Sequence, residues 1–309
     1  MSRQSICCLY KLLSTCSKCP TPFLMPSSTI KTQLNRGYSP PYNSTGDAFR
    51  DYFRELHRSI RKSVGLPASR DVGTLAELMK ELIAQVEKYL GHEITTATLA
   101  VPHLTALYQE DVLDLFTYLH LKYIDVSPFS ELLYETSAAY AGHGLGLCSN
   151  YRQAALCIGQ MQNMISERVL AVELTNSVLA VHEGKVSSAY YLEEGSSSSA
   201  FNHHLGLACL NTTLSEVVYW ENVRNFIEHK ITSDQKHLPK KVILYGESAT
   251  NDYFNQLIKN ILEDFSPSGK SPSVFNDHPE FILARGAAEF AKRSYYQHTK
   301  GKKTGSRQN

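Results

Sequence analysis

An α/β fold is what the sequence predicts, and three observations carry that expectation. Lys241 to Leu257 reads as a short apolar strand (Val242 to Tyr245), a tight turn at Gly246-Glu247-Ser248, and an amphipathic helix. Glu280 to Lys292 reads as a helix slimmed in its middle by Gly286-Ala287-Ala288, where a larger side chain would hold a neighbouring backbone away. Between Thr96 and Tyr140, β-rich and helical stretches alternate, the rhythm of a sheet with covering helices. A strand, a glycine turn opening a helix, and a helix slimmed by small residues are parts of a nucleotide-holding crevice.

The elements follow in order. Residues 1–46 scatter Pro20, Pro22, Pro26, Pro40 and Pro41 among Ser, Thr and Asn, so no packed element is expected before about Asp47. Phe49, Tyr52, Phe53, Leu56, Ile60 and Val64 recur at helical spacing up to Gly65-Leu66-Pro67. Thr74 and Glu77 read as a capping box for a helix striped by Leu75, Leu78, Met79, Leu82, Ile83, Val86 and Leu90 and stopped by Gly91. Thr96 to Val101 reads as a strand, Leu107 to Leu119 as a helix, Tyr123 to Val126 as a strand, and Phe129 to Tyr140 as a helix stopped at Gly142-His143-Gly144-Leu145-Gly146. Val169 to Leu174, Val178 to His182 and Val186 to Leu192 read as a meander, with turns at Thr175-Asn176 and Glu183-Gly184 and a loop at Ser196 to Ser199. Thr213 with Glu216 caps a helix to about His229. Tyr190 to Leu192 and Trp220 are expected to fill core or interface.

Charge narrows the function. The net charge of +1 hides two basic, acid-free ends, residues 1–46 and 292–309, around an acidic body. An acidic body argues against specific nucleic-acid binding, and no apolar run is long enough to span a bilayer. The seven cysteines, odd in number and without a secretory signal, are expected to be free thiols in a reducing compartment. Cys16-Ser17-Lys18-Cys19 has zinc-ligand spacing, but the only nearby candidates to complete four ligands are the adjacent Cys7-Cys8, so no metal site is expected. The expected location is cytoplasmic, with a nuclear or mitochondrial destination left open by the basic ends.

The order of elements resembles one family. From about residue 70 to 296 the chain is similar to the actin-like ATPase superfamily, specifically the nucleotide-binding domain of the seventy-kilodalton heat-shock chaperones and their divergent fungal relatives. Four stretches carry the resemblance: Thr98-Leu99-Ala100-Val101-Pro102, Tyr134-Glu135-Thr136-Ser137-Ala138-Ala139-Tyr140, Lys241 to Leu257, and Pro279 to Ala288. It implies a ribonuclease-H-like, two-lobed α/β fold, N-terminally abridged, over residues 47–296, with lobe one at about 70–165, lobe two at about 166–296, and a disordered basic tail at 297–309. It also implies ATP or ADP with Mg²⁺ as cofactor. Glu135 stands where the family keeps a glutamate that helps place the attacking water and magnesium. Gly246 and Ser248 stand where it backs the adenine and ribose, and Gly286 where the closing helix lets the crevice pack.

Departures from the family pattern shape the functional expectation. Where the second phosphate loop reads Asp-Leu-Gly-Gly-Gly-Thr, this chain has Glu173-Leu174-Thr175-Asn176-Ser177-Val178. Three glycines allow positive-φ curling and bare N–H groups around phosphate; Thr175, Asn176 and Ser177 replace all three. Glu247 brings bulk and negative charge toward a polyanion. The first phosphate loop has no counterpart, since Asp71-Val72-Gly73-Thr74 reads as a helix start. Phosphoryl transfer needs metal, lysine and backbone donors together, and losing one such contributor costs on the order of 10²–10³ in rate. The expectation is a degenerate nucleotide-binding domain without efficient hydrolysis, acting on an unidentified protein partner as a binding or scaffold protein. The rival is an ATP-binding chaperone-like ATPase whose N-terminal sequence is wrong.

A third reading takes Gly246-Glu247-Ser248-Ala249-Thr250 as a nucleophile elbow, with Asp277 and either His278 or His298 completing a hydrolase site. Thr250 replaces the final glycine of that motif, and Asp277 and His278 are adjacent, which argues against it. His203-His204, Glu193-Glu194 and Glu263-Asp264 read as solvated polar positions.

Overall fold

Strand β6 (Glu167–Leu174) is the spine of a five-stranded mixed sheet, and its alternating side chains explain the layers on either side. In the computed structural model, which describes residues 7–8, 44–103, 107–124, 126, 132–211, 215–232, 238–266 and 271–301, this sheet runs β10-β9-β6-β7-β8. β7 (Leu179–Ser188) and β8 (Tyr191–Asn202) continue β6 as an antiparallel meander, while β9 (Lys241–Tyr245) and β10 (Ser273–Phe275) lie parallel to it. Ala171 stands between His182 on β7 and Ile243 on β9.

The period of two sends Leu170, Val172 and Leu174 into a core with α6 (Glu216–Thr232) and α7 (Asp252–Asp264). Val169 and Ala171 face the opposite core, made by α4 (Glu135–Gly142) and α8 (Ile282–Gly301). α8 also touches the second, smaller sheet, β1-β2-β4 (Cys7–Cys8, Thr96–Thr98, Lys122–Tyr123), and β3 (Ala100–Val101), which pairs with β5 (Leu133–Tyr134). A third core joins α2 (Arg70–Leu90), α3 (Gln109–Tyr118) and the first strands. The chain is a mixed α/β protein, as expected.

Several expected elements change. Cys7–Cys8 pairs with Ala97–Thr98, so a packed element does occur before residue 47. α1 (Thr45–Ser63) forms where the spacing places it, but its apolar stripe points outward. α2 begins a turn before Thr74: Ser69 caps it by accepting from Val72 N–H, and the Thr74 hydroxyl donates back to Arg70. That start does confirm Asp71 to Thr74 as helix. The strand from Thr96 breaks at Leu99 and feeds two sheets, and Leu133–Tyr134 is strand, so the helix expected from Phe129 begins only at Glu135. Glu183-Gly184 is no turn: β7 runs through it, with a register shift there and Glu183 paired to Arg168 across the ladder. Ser196 to Ser199 belongs to β8. α8 continues to Gly301, past the expected start of a frayed tail. α5 (Ala154–Gln162) and β10 add to the sequence reading.

Cys148 and Cys157 are joined as a buried disulfide, with Cα atoms 5.3 Å apart, which corrects the free-thiol expectation for this pair. The α4 stop turn brings Cys148 down against α5, and the sequence spacing alone does not reveal that approach. Cys209 is free. The Cys16–Cys19 spacing, Thr213 and the tail beyond Gly301 lie outside the described residues. No described helix is long and apolar enough to cross a membrane.

Candidate functional site

Two turns meet at one end of the large sheet. The β6–β7 connection, Thr175 to Val178, lies against Gly246-Glu247-Ser248 at the end of β9, where Ser248 N–H donates to the Leu174 carbonyl at 3.1 Å. Gly246 has φ +103°, and a Cβ there would strike the Leu174 carbonyl, so glycine is the residue this approach admits. The sequence reading brought these residues into one pocket, and the structure brings them together.

Their hydrogen bonds are directed inward. Asn176 N–H donates to Glu247 Oε1 at 2.9 Å. The buried Thr175 hydroxyl accepts from Ser177 N–H at 3.2 Å and Val178 N–H at 3.0 Å. Ser248 Oγ donates to Asn176 Oδ1 at 3.2 Å. On the far side, Gly206 packs so tightly on Asn176 and Ser177 that a Cβ would overlap their backbone, and Leu207 and Ala208 N–H groups bond to the Thr175 and Asn176 carbonyls. The turn is therefore satisfied by its own hydroxyl, by a carboxylate and by the neighbouring chain.

Deeper in the same region lies Glu135, at the first turn of α4 and fully buried. Its Oε1 pairs with His182 Nε2 at 2.7 Å and accepts from His103 N–H at 3.3 Å. His103 follows Pro102 at the end of β3; its ring stacks on Tyr134 at 4.6 Å between centroids and lies 4.5 Å from the His182 ring. His103 Nε2 shares a hydrogen bond with Thr136 Oγ1 at 3.0 Å, and His182 Nδ1 shares one with Ser199 Oγ at 2.7 Å. Burial alone would raise the Glu135 pKa, but the His182 pair and His103 outweigh it and hold the carboxyl below its usual value. Tyr245, fully buried on β9, is pushed well above the usual phenol range by desolvation and then by the Glu135 and Glu173 carboxylates. Glu173 is half-buried on β6, in register with Ala180 and Tyr245.

Gly286 lies away from both turns, on α8, where a Cβ would fall on the Ala138 carbonyl; with Gly142 it lets α8 seat the helix that carries Glu135. The hydrolase constellation does not assemble among the described residues. Ser248 is buried with its hydroxyl on Asn176, while His278 is 80% exposed beside Glu280 and the His298 side chain lies outside the described residues. His103 and His182 were missed by the sequence reading. The parity of His182 with Ala180 in an apolar strand was the one available signal that it faces the core.

No protein-family model and no curated protein sequence matches this chain.

Proposed function

We propose that the chain is a degenerate actin-like ATPase-type domain, resembling the nucleotide-binding domain of seventy-kilodalton heat-shock chaperones, that has lost ATP hydrolysis and acts as a binding or scaffold protein. One observation carries the reading: the three N–H groups that a glycine loop would offer to phosphate are spent internally. Asn176 N–H goes to Glu247, and those of Ser177 and Val178 go to Thr175 Oγ1. A triphosphate would have to displace a carboxylate and a hydroxyl while approaching Glu247, so it meets like charge instead of donors. The order β10-β9-β6-β7-β8, a meander extended by two parallel strands, supports a ribonuclease-H-like lobe. The close α4–α8 crossing supports a connecting helix seated by a closing helix.

Thermal denaturation of the full chain with and without Mg-ATP or Mg-ADP tests this. A nucleotide held at about 100 times its dissociation constant would add roughly 2.7 kcal/mol of stability. The expected result is an unchanged melting temperature. A clear upward shift with either nucleotide would overturn the reading that the turn no longer grips a nucleotide.

A further inference from the structure

We infer that His103, Glu135 and His182 form a buried binding site for a divalent transition-metal ion of the zinc type. Their ligand atoms lie within 4.8 Å of one another, and all three residues are buried. Two imidazoles and one carboxylate are a donor set that zinc accepts, and imidazole nitrogen selects zinc, copper, nickel or iron over magnesium, which prefers an octahedron of oxygens with several waters. The surroundings have the form of a prepared site. Each imidazole has one nitrogen engaged by a hydroxyl, His182 Nδ1 by Ser199 and His103 Nε2 by Thr136, an arrangement that orients the ring and directs its other nitrogen as a ligand. His182 Nε2 already meets Glu135 Oε1.

The three ligands come from the end of β3, the start of α4 and the middle of β7, segments far apart in sequence, so a bound ion ties the β3–β5 pair and the five-stranded sheet to the buried helix. With so little water access its role is to hold the fold together. This inference does not rest on the nucleotide reading: it needs only these side chains, whatever the Thr175 to Val178 turn binds.

The test is elemental analysis of the full chain, stripped with chelator, loaded with zinc sulfate and dialysed, with circular dichroism on every variant. About one zinc per chain is expected, unchanged in His203→Gln/His204→Gln, which removes the exposed histidine pair. His182→Gln should lose the zinc. Because that variant can also fail to fold, Ser199→Ala is the second probe: it keeps all three ligands and should weaken zinc affinity about 10–100-fold with the fold intact. The inference is overturned if the loaded chain keeps no stoichiometric zinc, if His182→Gln folds and keeps it, or if Mg²⁺ raises the melting temperature as much as Zn²⁺. Nucleotide addition plays no part in these readings, so their failure and that of the proposed function are separable.

Discussion

Where α4 meets α8 the two backbones nearly touch, whereas α1 reaches α3 through charged side chains. At the first contact backbone meets backbone: a Cβ on Gly286 would fall on the Ala138 carbonyl and one on Gly142 on the Ile282 carbonyl, with Ala139 and Ala287 buried beside them. The second is a fan of guanidinium groups. Arg58 bonds Asp111 at 2.6 Å and Asp114 at 2.7 Å, Arg54 reaches Glu110 at 2.5 Å, and Lys62 joins Asp114 at 2.9 Å. Glu110 and Asp111 lie in the first turn of α3, where the helix dipole favours negative charge. One contact is fixed by shape and cannot relax; the other is fixed by charge and can be loosened by salt or by removing a partner. That difference predicts which substitutions each will tolerate.

The largest effect should come from Gly286. Leucine there must push α8 off the Ala138 carbonyl, and because the obstacle is backbone the cost should exceed the usual overpacking penalty of about 1–3 kcal/mol. Urea denaturation should show the loss. Alanine is the sharper probe: in an exposed helix Gly→Ala gains up to about 1 kcal/mol, so a destabilised Gly286→Ala establishes the close crossing and a stabilised one breaks the comparison.

Arg58→Met comes next. It leaves the Asp111 carboxylate buried without its main partner, a loss on the order of 3 kcal/mol when such pairs are broken from one side. Pairing it with Asp111→Leu should recover most of the loss. If the single and double variants lose equally, the charges are not what holds α1.

The contrast also explains what could be read in advance. The strands β6 and β9, the Gly246 turn and the small-residue face of α8 were legible because each is a local pattern: a short apolar run, a glycine in a tight turn, a glycine among alanines. α1 was legible as a helix but not in its orientation. Periodicity finds a stripe and does not say which side faces the protein, and Asp111 and Asp114, which capture Arg58, lie more than fifty residues away. Glu183-Gly184 misled for the same reason: turn-forming residues stay in strand when Arg168 holds Glu183 across the ladder. The sequence flagged Glu135 and the two turns of the candidate site. His103 and His182 came to light only when topology joined segments near residues 103, 135 and 182.

A smaller effect tests whether surface charge behaves like the α1–α3 cluster. On α8, Glu289 pairs with Arg293 and Lys292. Partial burial would raise its pKa, but the two cations outweigh it and hold the carboxyl below its usual 4.5. A depressed folded pKa contributes stability above the unfolded value and loses it as pH falls through the carboxylate range. Glu289→Gln should therefore cost about 0.5 kcal/mol at neutral pH and converge with the parent protein in acid, measured by urea midpoints across pH. A gap that persists in acid would mean packing, not charge, sets the effect.

The smallest effect is expected from the outward stripe of α1. Phe53 is 76% exposed and Ile60 54%, so Phe53→Ser and Ile60→Ser remove side chains that bury little against the body. Serine is close to both in helix propensity, and surface changes of this kind stay within about 0.5 kcal/mol. Urea midpoints of the two variants should match the parent protein while Arg58→Met, on the opposite face of the same helix, falls. A loss above about 1 kcal/mol in either serine variant would show the stripe to be covered in solution, and α1 would then be held by apolar burial as α4 is.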